Sequence, residues 1–551
     1  MEDNQATAEF GPRPTQKVCP VCGEVYQNSS LNYCRKDGSS LNTTPNASDA
    51  TNTLVLPSLP SRQPAASVYP LQTAKQSITH RSRADSNPII DSLAVLPLTN
   101  TYSDPNGEYL SDGITETLIN MISQVPDLRV VPRSTVFRYK SLDVDPQECG
   151  RQLGVRAVLT GRVQQIGDTL TIQADLIDVV NEAQLWGQRY RRQMTDIFDL
   201  QEEIANEIFQ KLRVRVTTEQ QQRLRKRQTD NPAAYQAYLK GRYYWNKRTE
   251  EGLKTSTKYF QDAVNIDPCY AQAYAGLADS YAVQGIAEYG LSLPTEAMPR
   301  AKAAAAKALE IDDTLVEAQT TIAHVVAFYD WDWTRAEQEF KHALELDQRY
   351  ALCHHWYACY LAAVGRHTDA LAEETNAQEI DPLSLVINKN MGTVLYYSGE
   401  LDQSITQYRK ALELEPTFPR THIYLGLAYV RKRMYDQALV QYQEALRVSD
   451  GGSVLMSLIA HAHALNGDLE SAKQILQSLI DRSQTHYVPA FCFALIYVGL
   501  GENDLAFESL NKAVEERSSW LVSLNVEPML EPLRSDPRFA ELVRSVGLKS
   551  L

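Results

Sequence analysis

Ala377-Gln378-Glu379-Ile380-Asp381-Pro382 and, 34 residues on, Ala411-Leu412-Glu413-Leu414-Glu415-Pro416 are one phrase written twice. One period earlier stands Ala343-Leu344-Glu345-Leu346-Asp347-Gln348, and one period later Ala445-Leu446-Arg447-Val448-Ser449-Asp450. A fixed period of this length signals stacked supersecondary units, each packing only on its neighbours. A plain helical bundle has no reason to hold one phase over so many steps. Such a chain offers a long surface to a partner.

Each unit reads as two antiparallel helices, A and B. These need small residues where they cross and bulky ones where they meet the next pair. Gly392, Ser404, Tyr408 and Ala411 fill those places in one unit, and Gly426, Ala438, Tyr442 and Ala445 in the next. Ala336, Phe340 and Ala343 precede them, and Ala494, Ala506, Leu510 and Ala513 follow. Gly399, Gly467 and Gly501 fall at the turns between A and B, where a positive φ suits glycine. In this register the chain resembles tetratricopeptide repeats. About eight repeats are expected over 235–527, with an insertion near Glu288–Pro294 in the second and a capping helix in 528–551.

The resemblance implies a superhelix whose A helices line a concave groove. The family's pattern points Phe328, His355, Lys389, Thr393, Tyr396, Ile423, Leu427, Val430, His461 and Phe491 into it. These residues predict a largely apolar groove with few cations, suited to a peptide or amphipathic helix of a protein partner. His354-His355 and His461-x-His463 are adjacent or alternate on a helix, so their rings diverge and do not suggest a metal site.

Residues 88–217 change character. Ser92–Leu98 reads as a buried strand, Tyr109–Gln124 as a helix and Leu128–Val131 as a second strand. Val155–Gln165, Thr169–Val179 and Gln184–Arg192 read as a meander whose first turn is Ile166-Gly167-Asp168. A helix with an acidic start follows Asp196. Leu93-Ala94-Val95-Leu96-Pro97, Tyr109-Leu110-Ser111-Asp112-Gly113-Ile114-Thr115-Glu116, Leu159-Thr160-Gly161-Arg162-Val163 and Asp196-Ile197-Phe198-Asp199-Leu200-Gln201 resemble the TolB-like amino-terminal domain. In bacteria that domain is fused to kinases, nucleotide cyclases or winged-helix regulators, and no such segment is present here. The resemblance implies an α/β sandwich without a catalytic constellation. Asp112, Glu116, Asp175 and Asp178 read as caps and turns, since no phosphate loop, His-Glu-x-x-His or nucleophile elbow accompanies them.

At the N-terminal side, Cys19-Pro20-Val21-Cys22-Gly23 and Tyr33-Cys34-Arg35-Lys36-Asp37-Gly38 form two turns that can aim ligands at one point. The pattern, over 17–42, resembles a bacterial zinc ribbon with Cys19, Cys22, Cys34 and Asp37 as ligands to a structural Zn²⁺. A degenerate ribbon that folds without metal, or a redox pair, are the other readings. Residues 43–87, rich in Ser, Thr, Asn, Pro and Gln, read as a disordered linker. The remaining cysteines, Cys149, Cys269, Cys353, Cys359 and Cys492, read as small core residues.

The 551 residues exceed one hydrophobic core and imply several domains. A net charge of −14 argues against a general nucleic-acid binder. The basic stretch near Arg213–Arg227 is the exception. No run is apolar and long enough to span a membrane, and the first residues lack a secretory pattern. A cytoplasmic setting is expected. The sequence therefore predicts a multidomain chain: zinc ribbon, α/β module, then an all-α superhelix. Its expected role is a non-catalytic interaction scaffold or adaptor. The rivals are a transcription or signalling regulator using the ribbon and basic stretch, and the substrate-selecting part of a glycosyltransferase-type enzyme, for which no catalytic domain is left over. Partner identity and oligomeric state stay open.

Overall fold

The computed structural model describes residues 90–549 except 101–106, 126–127, 141–144, 215, 219–227, 287 and 450, together with three short strands nearer the N-terminus. The chain divides into two units, Met1–Asp85 and Ser86–Leu551. In the first, β1 (Lys17–Val18) pairs antiparallel with β2 (Val25–Tyr26) on one side and β3 (Asn42–Thr43) on the other. Cys19 and Cys22 thus fall in the segment joining β1 to β2. The cysteines, Asp37 and the rest of the linker lie outside the described residues, as does Lys-Arg-rich 219–227.

The second unit opens with the α/β module. Its sheet has the order β6-β4-β7-β8-β9, with β5 also on β7. The strands are β4 (Ser92–Val95), β5 (Thr99–Asn100), β6 (Arg129–Val130), β7 (Ala157–Ile166), β8 (Thr169–Asp178) and β9 (Ala183–Gln193). β4 is parallel to β6 and β7, while β7, β8 and β9 form the antiparallel meander. Alternation sets the faces: in β8, Leu170, Ile172, Ala174 and Leu176 point inward and are all nearly inaccessible. α1 (Glu108–Ser123) and α4 (Ile197–Leu212) pack on that buried face through Leu110, Ile114 and Leu118, and through Ile204 and Ile208. Two short helices were not foreseen: α2 (Arg133–Val136) and α3 (Pro146–Gln152).

From Pro232 the chain is a helix-pair array. The pairs are α5 and α6 (Pro232–Asn246, Glu250–Ile266), α7 and α8 (Ala271–Gly285, Pro294–Ile311), α9 and α10 (Val316–Val325, Trp333–Leu346), and α11 and α12 (Ala351–Ala363, His367–Ile380). Then come α13 and α14 (Leu385–Ser398, Leu401–Leu414), α15 and α16 (Pro419–Arg431, Tyr435–Arg447), α17 and α18 (Ser453–Leu465, Leu469–Ser483), and α19 and α20 (Ala490–Leu500, Asn503–Glu515). The crossing rule is visible in atoms. Tyr408 and Tyr442 of the B helices are fully buried against Gly392 and Gly426 of their own A helices. A Cβ on Gly392 would lie 2.5 Å from Tyr408 Cε1, so only glycine lets the ring lie there. Burying each such ring contributes about 1.5–3 kcal/mol. α9 runs into a π-helical turn, Val326–Asp330, which shifts the side-chain phase before α10.

Three features tie this array into a closed coil. First, the module docks on it. Thr117 Oγ1 and Tyr235 OH are 2.8 Å apart, Gln201 Nε2 donates to the same hydroxyl at 2.8 Å, and Gly113 lies against Leu239. Farther along, Ser134 donates to Asp381, and Arg138 donates to Leu414 O at 2.7 Å. One continuous hydrophobic core runs from β4 into the fifth repeat. Second, the insertion between α7 and α8 crosses the coil. Glu288 pairs with Arg420 (2.7 Å) and accepts from Tyr424, while Gly290 lies beside Pro489 and Val454. Third, the C-terminal segment returns inward. Tyr396 and Tyr397 donate to Glu527 at 3.4 and 3.3 Å, Trp520 stacks on Phe491 at 4.8 Å, and Arg517 lies over Trp331. Only Pro537–Ser545 (α21) of the expected capping region is α-helix; two 3₁₀ turns, Ser519–Ser523 and Pro528–Leu533, precede it.

Candidate functional site

The coil curves around a partly open chamber of about 1810 Å³. Its walls are the A helices α7, α9, α11 and α13, the module's Arg129–Thr135 strip, the insertion, and the 3₁₀ turn at Ser519–Ser523. The period places these A helices side by side, and the insertion and C-terminal turn cover the far end.

Of the groove residues expected from sequence, Phe328, His355, Lys389 and Thr393 line this chamber. Tyr396, Ile423, Leu427, Val430, His461 and Phe491 do not. Tyr396, Leu427, Val430 and Phe491 are buried in the second hydrophobic core, and Ile423 packs against it. His461 Nδ1 is spent on Leu495 O at 2.8 Å. The returning tail covers Tyr396 through Glu527 and Phe491 through Trp520, while His461 is closed off by the next repeat. The wall is mostly apolar, as expected, but it is not poor in cations: Arg133, Arg242, Arg248, Lys389 and Arg420 all reach it. Cys359, half-buried, is on the wall as well, and Cys269 is exposed rather than core.

Charge is distributed in clusters. Glu116 of α1 is the hub of one: Arg133 Nε lies 2.8 Å from Oε2, Arg242 donates to Oε1 at 2.9 Å, and Asn246 reaches Oε2 at 3.4 Å. The Arg133 contact is ionic, since its Nε–H has no aligned acceptor. Burial pushes the Glu116 carboxyl up, but Arg242 and Arg133 outweigh it and hold the group below its ordinary value. Asp279, buried on α7, is raised to about 6 by burial against the opposing effect of its bond from Thr321 Oγ1 (2.6 Å). Asp112 is likewise raised by burial, although Lys140 sits 2.5 Å away. Asp178 is gripped by Arg156 at 2.9 and 3.0 Å. Of the four carboxylates singled out in the module, Asp112, Glu116 and Asp178 are engaged in ion pairs, while Asp175 accepts from the side-chain amides of Gln173 and Gln184.

The middle of the wall is aromatic. His324 stacks on Phe328 (4.7 Å) and meets Trp356 at 4.4 Å. Its Nδ1 is buried without a partner, and burial, then His355, lower its pKa to about 3. His355 behaves oppositely. Burial opposes protonation, but Cys359 and the Glu374 carboxylate 3.1 Å from Nδ1 raise it to about 10. His354 is taken by Glu373 at 2.6 Å and Gln348 O at 3.0 Å. Among the described residues no cluster of His, Cys, Asp and Glu is placed to hold a metal, and no helix is long and apolar enough to cross a membrane. Arg242, Arg248, Glu288 and Arg420 were missed from sequence, because their meeting depends on how far the coil closes.

Comparison with known proteins bears on both parts. A TPR repeat family model matches residues 392–432, and the model of the second domain of HilA/YgeH-like transcriptional regulators matches 90–207. The chain is similar to "Putative adenylate cyclase 3" of Rhizobium meliloti, 31% identical over 256 residues, covering 46% of this chain and 43% of the relative. It is similar to human "Tetratricopeptide repeat protein 6", 24% identical over 35% of this chain and 36% of that one. The chain spans less than half the length of the curated relatives it matches. Among solved structures, Pseudomonas aeruginosa pilF aligns at 19% identity, over 42% of this chain and 96% of its own, with a TM-score of 0.31. The helix pairs are thus tetratricopeptide-type repeats preceded by an α/β module.

Proposed function

We propose that this chain is a non-catalytic scaffold or regulatory adaptor whose repeat coil receives a peptide or helix of a protein partner in the chamber. The observation that carries this is the run of A helices α9, α11 and α13 along one side of an open volume of about 1810 Å³. Half-buried Phe328, Leu352 and Cys359 stand beside polar Thr393 and Asn390 on that wall. Recognition sites combine an apolar body with a few placed polar groups in this way. The test is photo-crosslinking from Leu352 and Thr393 inside the chamber and from Val440 on the outer, exposed face of α16. A partner captured from the inner positions and not from Val440 supports the reading. Equal capture from both faces refutes it.

The α/β module is, in this proposal, of the TolB-like kind and serves as a docking or sensing element. Its matches to a domain of a transcriptional regulator and to a protein named as a cyclase support a regulatory setting. They also favour, as a second reading, a regulator that contacts DNA through the ribbon and the basic stretch; retention of a DNA fragment only at very low salt would sink it. For the ribbon we propose structural Zn²⁺ on Cys19, Cys22, Cys34 and Asp37, since β1 and β2 pair on either side of Cys19 and Cys22. Metal analysis of the full chain decides this; less than half an equivalent of zinc rules the site out. A cytoplasmic location accords with the free, buried thiols of Cys149, Cys353 and Cys492.

A further inference from the structure

Three cations meet on the chamber wall from distant parts of the sequence. Arg248 comes from the turn between α5 and α6, Lys389 from α13 and Arg420 from α15. Each is fixed over an aromatic face: Arg248 over Trp245 at 3.5 Å, Arg420 over Tyr289 at 3.6 Å, and Lys389 over Tyr424 at 4.2 Å. Arg248 is held there by a left-handed backbone conformation, φ 55°, rare for a residue with a Cβ. Their neighbours supply one carboxylate, Glu288, already shared by Arg420 and Tyr424. Among the described residues, neither Arg248 nor Lys389 has a carboxylate at ion-pair distance, although Lys389 is only 5% exposed; Glu288, pushed up by burial but held low by Lys389 and Arg420 together, is one carboxylate serving two of the three cations.

Burying a cation without a counter-charge is costly, so this surplus needs a reason. Asp279 and Glu317 answer chiefly to Arg242, not to these three cations: in each, Arg242 is the guanidinium that most opposes the upward push of burial. The excess positive field is visible at Tyr289. Burial pushes that phenol up, yet Arg420, Arg248 and Lys389 together bring it below its ordinary value.

We propose that Arg248, Lys389 and Arg420 form a binding site for the phosphate group of a small phosphorylated solute. Two guanidiniums and an ammonium present diverging N–H donors that suit a tetrahedral oxyanion with several acceptor oxygens. Stacking on aromatic rings orients the donors in advance, so little side-chain freedom is lost on binding. The module, the insertion and the C-terminal turn restrict the approach, and the volume exceeds the roughly 300–1,000 Å³ of a small-molecule site. A solute fits with room to spare. The site shares the chamber with the proposed partner groove, but its test reads the binding of a small solute and does not depend on that reading.

The probe is inorganic pyrophosphate, titrated calorimetrically into the full chain. Inorganic sulfate and a phosphoserine peptide are run alongside. Saturable binding of pyrophosphate is expected, stronger than that of sulfate. Lys389→Met and Arg248→Met should each weaken it by about tenfold or more, the loss of one charge-assisted contact. Without ligand, Lys389→Met should unfold at about the parent's temperature, because Glu288 keeps Arg420 as its ion-pair partner and the positive surplus is reduced. No binding of pyrophosphate, or binding undiminished in both variants, overturns the proposal. Binding of the phosphopeptide alone does so too, and moves the site to a macromolecular ligand. A clear loss of thermal stability in Lys389→Met would also overturn it, by showing that the charge is satisfied within the chain.

Discussion

Replacing Glu116 by alanine should loosen the α/β module from the repeat coil. Its side chain is 11% exposed and stands between Arg133 and Arg242, which are 23% and 21% exposed. Alanine leaves both guanidiniums facing each other across a cavity. Removing one partner of a buried pair costs about 3–5 kcal/mol. Both arginines keep some access to the chamber, which lowers the expected loss to about 2–4 kcal/mol. Urea unfolding followed by tryptophan fluorescence measures it, because Trp245 sits on α5 beside Arg242, its ring 4.7 Å from the guanidinium. Hydrogen exchange should rise in α1 and α5 before it rises in α15 to α20. Adding Arg242→Met to Glu116→Ala should recover part of the loss, since one of the stranded charges is then gone. A loss under about 1 kcal/mol, or no recovery in the double variant, refutes the assignment of Glu116 as the charge that joins the two parts.

Two further outcomes follow from the same geometry. His324 has its pKa lowered from 6.5 to about 3, so the folded chain refuses a proton that the unfolded chain accepts. Its contribution is fully present above the unfolded value and is lost as pH falls toward the folded one, by about 2 kcal/mol between roughly pH 7.5 and pH 5. His324→Phe keeps the ring stack and removes that loss. The variant's urea midpoint should gain on the parent's as the solution is acidified, and a constant difference contradicts the prediction. Gly392→Ala sets a helix gain of about 1 kcal/mol against overpacking of about 1–3 kcal/mol. Tyr408 is fully buried and its hydroxyl donates to Thr393 at 3.2 Å, so the ring has nowhere to move and overpacking should win. A more stable variant would show that the A–B crossing is slack.

The array was legible because its contacts are local. Tyr408 meets Gly392 16 positions away, and the same pairing recurs one period later in Tyr442 and Gly426, so the period carries the packing with it. The meander was legible because β7, β8 and β9 alternate and their hairpin is short. Even α3 has a trace in the sequence: Asp145 accepts from Gln147 N and Pro146 follows it, the capping arrangement that opens a helix. The chamber was harder. Phe328, His355, Lys389 and Thr393 could be placed because α9, α11 and α13 obey the repeat rule. Ile423, Leu427, Val430, His461 and Phe491 obey it too, yet they are packed inside. Glu288 reaches Arg420 across 132 positions and Tyr396 reaches Glu527 across 131. Such contacts depend on the accumulated twist of several repeats, each adding a small rotation that no single phrase encodes. The repeat phrase Ala377–Pro382 makes the same point. Asp381 belongs to the repeat signature, but its carboxylate is bound by Ser134 of the module and pushed up by burial. A repeat rule states what each unit does to its neighbour. What the coil does when it closes on a module and on its own tail is a property of the whole chain, and the charged chamber arises at that level.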